Sequence, residues 1–274
     1  ANTSRLRAAG YLRYDNLWQL GHSLSFNFVT APEEPSETTV FSASYLFAWP
    51  QSKTTIALYA VRSNSDVAAV GGINVLGSGT IYGARAIFPL PSLEGYFHTF
   101  TLGLDYKDFG ETVQLLGADG FDTPISYAPL SFLYNATLAG DSATTQFSLG
   151  ATLGVRDFLG SRDQEFANKR FKARANYAYL RGDVQHTRQL PRGWTLHARA
   201  DAQLAGQPLI SNEQFAAGGA DSVRGYLEAE QLGDDGVRGK LELRAPFIGV
   251  GNDEDKWFDA QGLAFIEAAE WRVV

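Results

Sequence analysis

The sequence predicts an all-β chain that crosses a membrane as an antiparallel β-barrel. Three observations carry this expectation. Short segments that alternate apolar and polar residues run from one end of the chain to the other. The connections between them are short turns in some places and long polar loops in others, as in outer-membrane barrels. The polar faces carry side chains of opposite charge, which suits a water-filled lumen better than a protein core, because unpaired buried charge is costly. No run of about eighteen apolar residues offers a spanning helix. Mean hydropathy is -0.17, as expected where apolar residues occupy only every second position.

Taken in order, residues 5–14 set Arg5, Arg7 and Arg13 on one face and Leu6, Ala8, Leu12 and Tyr14 on the other. In 22–29, Leu24, Phe26 and Phe28 oppose Ser23, Ser25 and Asn27. In 38–49, Phe41, Ala43, Tyr45, Phe47 and Trp49 oppose Ser42 and Ser44. Around 97–107, Phe100, Leu102, Leu104 and Tyr106 oppose Thr99, Thr101 and Asp105. In 145–156, Phe147, Leu149, Ala151, Leu153 and Val155 oppose Gln146, Ser148, Thr152 and Arg156. The clearest segment is 194–205, with Leu196, Ala198, Ala200, Ala202 and Leu204 against His197, Arg199, Asp201 and Gln203. Weaker alternation marks 54–62, 79–88, 125–138, 170–187, 237–246 and 259–269, which makes about twelve strands. In 170–187 the face of Phe171, Tyr177 and Tyr179 gives way to Val184 in the opposite phase, and this predicts a bulge.

The polar faces give the candidate lumen lining: Arg5, Arg7, Arg13, His197, Arg199, Asp201, Gln203, Lys240, Glu242 and Arg244. Arg199 is set to pair with Asp201, and Glu242 with Lys240 and Arg244. Gln203, facing water, is expected to tolerate replacement. Short turns fall at 15–21, 50–53 and 191–193, and long loops at 63–78, 108–124, 157–169 and 206–236.

Composition narrows the function classes. The 274 residues include no Cys, so disulfides, thiolate metal sites and Cys nucleophiles are excluded. A net charge of -7 argues against nucleic acid as a partner. Ala1-Asn2-Thr3-Ser4 runs straight into an alternating segment with no signal peptide, so a leader has been removed or the chain is an internal fragment. The Gly-rich 70–79 lacks a phosphate-loop Lys and reads as loop, and the acidic 251–257 fits no calcium-loop spacing. His22, His98, His186 and His197 lie on separate segments, and nothing local gathers a catalytic set. No enzyme, cofactor or metal is expected.

One long loop holds an arginine in a stretch built for tight turning, Ser222-Val223-Arg224-Gly225-Tyr226, with Gly218 and Gly219 just before it. Together with Glu213-Gln214-Phe215, Gly233-Asp234-Asp235-Gly236 and Glu242-Leu243-Arg244-Ala245-Pro246, this ordered set resembles the outer-membrane transporters of two-partner secretion, the haemolysin secretion/activation type. The turn "YDNLWQLGHSLSF" at 14–26 and the strand "LAFIEAAE" at 263–270 extend the resemblance over the whole chain.

The resemblance implies a sixteen-stranded barrel with periplasmic N-terminal domains, whose motif loop follows the eleventh strand. Ten strands precede the loop here, so residues 1–274 are expected to be a partial barrel, lacking those domains, the first strand and about three last ones. It also implies that the loop, about 206–236, folds back into the lumen, where Arg224 pairs with an acidic residue, Glu267, on a late strand. A guanidinium suits this because it meets a carboxylate through two parallel hydrogen bonds. Gly225 is expected to permit a turn that a side chain would block, and Tyr226 to pack along the wall. The implied function is an outer-membrane pore that secretes a large β-rich exoprotein in unfolded form, with that exoprotein, outer-membrane lipid and the barrel assembly machinery as partners. The alternatives are an assembly factor of the same superfamily that inserts outer-membrane proteins, and a passive porin.

Overall fold

The computed structural model describes residues 6–274 apart from 34, 36–38, 65–66, 71–72, 77, 111, 114–120, 220–221, 228 and 253–254. Alternation becomes one large antiparallel sheet. Its wall strands are β1 (Ala8–Leu17), β2 (His22–Thr30), β3 (Thr39–Trp49), β4 (Thr54–Ser63), β5 (Gly79–Pro89) and β6 (Tyr96–Phe109). They continue as β7 (Leu130–Ala139), β8 (Ala143–Gly154), β9 (Tyr177–Gln189), β10 (Thr195–Leu204), β11 (Asp235–Arg244) and β12 (Leu263–Arg272). Each pairs with its chain neighbour, and β1 and β12 end the path without pairing to each other among the described residues. Lengths run from 9 residues in β2 to 14 in β6, close to the roughly 9–11 that a tilted strand needs to cross a hydrocarbon core.

Register places every apolar face on the same side. Tyr14 and Leu24, then Leu24 and Tyr45, Tyr45 and Leu58, Leu58 and Ala84, and Ala84 and Leu104 are cross-strand partners. The row continues through Leu104–Leu130, Leu130–Leu153 and Leu153–Ala178. Large apolar side chains on this face stand open, among them Phe26, Phe41, Leu102, Leu149, Val184 and Ile266. A one-residue slip anywhere would turn a strand's apolar set inward. Near the short turns the same face carries rings with polar tips. Trp18, His22, Tyr45 and Phe47 cluster there, as do Tyr96, His98 and Tyr134, whose hydroxyls and imidazole are bonded at 2.6 and 2.9 Å. Such a girdle marks the level of lipid headgroups.

The opposite face is polar. Ser25 meets Ser44 at 2.6 Å, and Arg85 grips Asp105 through two bonds of 2.8 Å while Tyr59 donates to the same carboxylate. At the long-loop end, however, this face is filled by an apolar core in place of water. Val40, Val61, Ile81, Phe109, Tyr127, Tyr177 and Tyr179 pack there with Leu209 and Ile210. A short helix, α1 (Asp163–Lys169), completes the core. Its Phe166 inserts with ring centroids 5.5 Å from Tyr127 and 5.8 Å from Tyr177. Nothing in a period of two announces this plug, because its residues come from strand ends and loops far apart in sequence.

Other sequence expectations need correction. The 170–187 segment contains no bulge: β9 begins at Tyr177 and pairs in unbroken register on both sides. Phe171 lies before the strand and is exposed, whereas Tyr177 and Tyr179 face inward into the plug and Val184 faces outward. The 125–138 segment divides into Ile125–Tyr127, which extends the pairing of β6, and β7. The 259–269 segment divides as well, because Asp255–Ala260 pairs with Ile248–Asn252 as a hairpin between β11 and β12. Of the acidic 251–257, residues 251–252 and 255–257 belong to that hairpin, and 253–254 lie outside the described residues. The Gly-rich 70–79 is not all loop: it contains Ile73–Leu76, which pairs with Val67–Val70 as another hairpin, and it ends on the first residue of β5.

Ala200 sits mid-strand on the exposed outer face of β10. Ala200→Arg should destabilise the barrel in lipid vesicles by about 2–4 kcal/mol if that position lies at the midplane, as read by chemical unfolding. Arg199→Gln, one residue along on the inner face, should change stability far less.

Candidate functional site

The segment between β10 and β11 does not extend away from the wall. It returns over the inner face, and its two ends are bound where they leave the sheet. Asp235 accepts the backbone N–H groups of Ala205 and Gly206 at 2.7 and 3.2 Å. Asp234 is fully buried and accepts from Leu209 N at 2.9 Å, Gln214 Nε2 at 3.1 Å and a two-pronged Arg170. Within the loop, Phe215–Ala217 pairs with Gln231–Gly233 as a two-stranded ladder. Gly236 lets Phe215 lie against the wall, for a Cβ there would stand 2.3 Å from the ring. Arg238 covers the same ring at 5.3 Å and donates to Ala216 O.

Beneath this ladder lies the carboxylate of the Glu213-Gln214-Phe215 motif, whose partners no local pattern announces. Glu213 is 1% exposed and receives Lys107 Nζ at 2.6 Å, Tyr127 Oη at 2.6 Å and Tyr179 Oη at 2.8 Å. Burial pushes its pKa up, but the Lys107 charge and the three donors outweigh burial, so the carboxyl is held below its ordinary 4.5. Gln203 corrects the expectation of a tolerant, water-facing residue. It is fully buried, accepts from Arg181, and donates to Glu213 O at 3.2 Å and Asp234 O at 2.9 Å. The loop covers it.

Beyond the ladder, Gly218 and Gly219 take φ of 113° and 102°, and Gly225 takes 93°. A side chain at Gly225 would meet open space, so the demand there is for positive φ and not for room. Val223 is half-buried, and Tyr226 is 60% exposed instead of packed along the wall. Arg224 reaches Glu267 on β12. Its Nε donates to Oε1 at 2.8 Å and its backbone N–H to Oε2 at 2.7 Å. The structure adds a second partner, Glu242 on β11, at 3.1 Å from the guanidinium, which also stacks 3.4 Å from the Phe265 ring centroid. Both carboxylates are nearly buried.

The remaining candidates on β10 and β11 line the inner face, where their charges are paired. Arg199 pairs with Asp183 at 2.9 Å and Asp201 at 3.6 Å, and Arg238 with Asp201. Lys240 stands 3.5 Å from both Glu242 and Glu267, and Arg244 bonds Glu242. His197 bonds Thr187 at 2.9 Å. Arg13 pairs with Asp15, Arg7 is exposed ahead of β1, and Arg5 lies outside the described residues. No cluster able to hold a metal ion occurs among the described residues.

Residues 126–255 match the family model described as Haemolysin secretion/activation protein ShlB/FhaC/HecB. No curated protein matches the chain by sequence. Among solved structures, CdiB from Escherichia coli aligns at TM-score 0.68 and 16% identity, over 95% of this chain and 53% of its own. CdiB from Acinetobacter baumannii aligns at 0.64 and 15%, over 97% and 47%. BamA from Haemophilus ducreyi lacking POTRA domains 1-3 aligns at 0.62 and 15%, over 96% and 54%. The chain thus spans about half the length of these structures and shares their fold. The matched family is one of transporters and not of enzymes.

Two outcomes follow from the buried polar groups. Gln203→Leu leaves two carbonyls and Arg181 short of partners, so stability should fall by about 1–3 kcal/mol for each group left unsatisfied. Glu213, with its carboxyl held below 4.5, contributes stability that is complete above that value and is lost as pH falls through the lower folded-state value. The loss of stability between neutral pH and about pH 3 should be smaller in Glu213→Gln than in the wild type, by chemical unfolding at each pH.

Proposed function

Taking the haemolysin secretion/activation match as premise, we propose that this barrel is the pore of a two-partner secretion transporter. It passes a large β-rich exoprotein, unfolded, across the outer membrane. The observation that carries this reading is Arg224, brought by an inward-folded loop onto Glu267 and Glu242. A passive porin needs a polar lumen, but it does not need a loop tied by one guanidinium to two strands. The inner wall supports the reading too. Its charges are paired with each other along Asp183, Arg199, Asp201 and Arg238, so a passing polypeptide meets hydrogen-bonding groups without strong uncompensated charge. The protein carries out no covalent chemistry and uses no cofactor. Its partners are the exoprotein, outer-membrane lipid and, during biogenesis, the barrel assembly machinery. Nucleic acid is not among them.

A second reading, insertion of other outer-membrane proteins, draws on the likeness to BamA. The family match over 126–255 favours secretion. The two separate in cells that coexpress the full-length protein and its exoprotein. Secretion requires the exoprotein outside only when the transporter is intact, with other barrels assembling normally without it.

Arg224→Ala should lower export several-fold while the barrel still assembles, because the strands carry the fold. Glu267→Gln should act in the same direction. The double variant should lose less than the two single losses combined, since both remove one interaction. Export that stays at the wild-type level in Arg224→Ala would remove the loop from the mechanism.

A further inference from the structure

We infer that the motif loop works as two parts, a root (205–217 with 231–234) that stays fixed to the wall and a tip, described at 218–219, 222–227 and 229–230, that alone moves, with Glu213 as the positioning residue that holds the root. The inference deepens the translocation reading and rests on it for its consequence in transport.

The ties to the wall are divided unequally. The root is bound through Glu213 to β6, to Ile125–Tyr127 and to β9, through Gln203 and Arg181, through Arg238, and through both Asp234 and Asp235. Among the described residues of 218–230, Arg224 alone has a hydrogen bond or ion pair to the wall. The tip is instead tied to itself. Ser222 Oγ spans Gly218 N and O at 2.9 and 2.7 Å, and Leu227 N donates to Glu230 at 2.8 Å. The division falls at Gly218–Gly219, two adjacent positive-φ residues at the end of the ladder.

Charge makes release uneven as well. If Arg224 leaves, Lys240 remains 3.5 Å from both carboxylates as their counter-charge. Glu213 has a single cation, Lys107, in a dry site, so detaching it strands a buried charge on each side. One anchor is built to open and the other to stay closed.

Cysteine labelling tests this directly, because the chain has no Cys. Ala217→Cys reports the root, where Ala217 is 4% exposed, and Leu227→Cys the tip, where Leu227 is 76% exposed. In the full-length protein in outer-membrane vesicles, a maleimide should label Leu227→Cys readily in every background. Ala217→Cys should stay protected in the wild type and in Arg224→Ala. In Glu213→Ala its labelling should rise by about tenfold or more, with folded barrel mobility on gels unchanged. Lys107→Met combined with Glu213→Gln, which removes both charges and keeps two tyrosine donors, should restore protection. If Glu213→Ala does not assemble, Tyr127→Phe and Tyr179→Phe, each removing one donor, should still raise labelling in graded fashion. Labelling of Ala217→Cys in Arg224→Ala, or protection that survives loss of these Glu213 contacts, would overturn the division into root and tip. Normal labelling with export undiminished in Arg224→Ala would instead count against the translocation reading alone.

Discussion

In the hydrocarbon of a bilayer no water is present to pair a backbone N–H or C=O, so each must be paired within the protein. The rest of this molecule follows from that constraint. It forces the chain into a continuous antiparallel ladder, β1 through β12, and the ladder forces side chains to alternate between lipid and interior. Arg85, Asp105, Arg199, Asp201, Arg238, Lys240 and Glu242 are thereby gathered on the inner face, where each must find a partner of opposite charge. Asp105 finds Arg85 and Tyr59, Asp201 finds Arg199 and Arg238, and Glu242 finds Lys240, Arg244 and Arg224. The loop's guanidinium is one more member of this paired surface, supplied from outside the strands.

The wall was legible in the sequence because a period of two is a local property. Leu196, Ala198 and Ala200 against His197, Arg199 and Asp201 state which way β10 faces without reference to any other strand. The contact between Arg224 and Glu267 was legible for a different reason, the ordered family motifs around each residue. The plug was not legible, since Tyr127 on the short strand Ile125–Tyr127, Phe166 on α1 and Tyr177 at the start of β9 meet only in the folded chain. The same holds for Gln203. Its alternation places it correctly on the inner face, but whether that face is wet depends on the loop above it, which lies outside the strand's own pattern. The phase change in 170–187 has the same origin: Tyr177 and Tyr179 are aromatic because they face the plug, while Val184 faces outward in an unbroken register.

Glu213 joins these two halves of the structure. Its donors Tyr127 and Tyr179 are plug residues, and Leu209 and Ile210, a few positions before it, are buried in the same core at 2% and 1% exposure. Moving the root would therefore expose apolar side chains at about 25 cal/mol per Å², besides separating Glu213 from Lys107. The tip incurs much less of that cost, because Tyr226 and Leu227 are already exposed and Val223 is only half-buried. The apolar seal at the long-loop end and the anchor of the motif loop are one set of packed side chains. A loop that must remain in register with the wall while its end changes partners needs an anchor of this kind, dry and many-stranded, and an end whose one tie lies among alternative counter-charges.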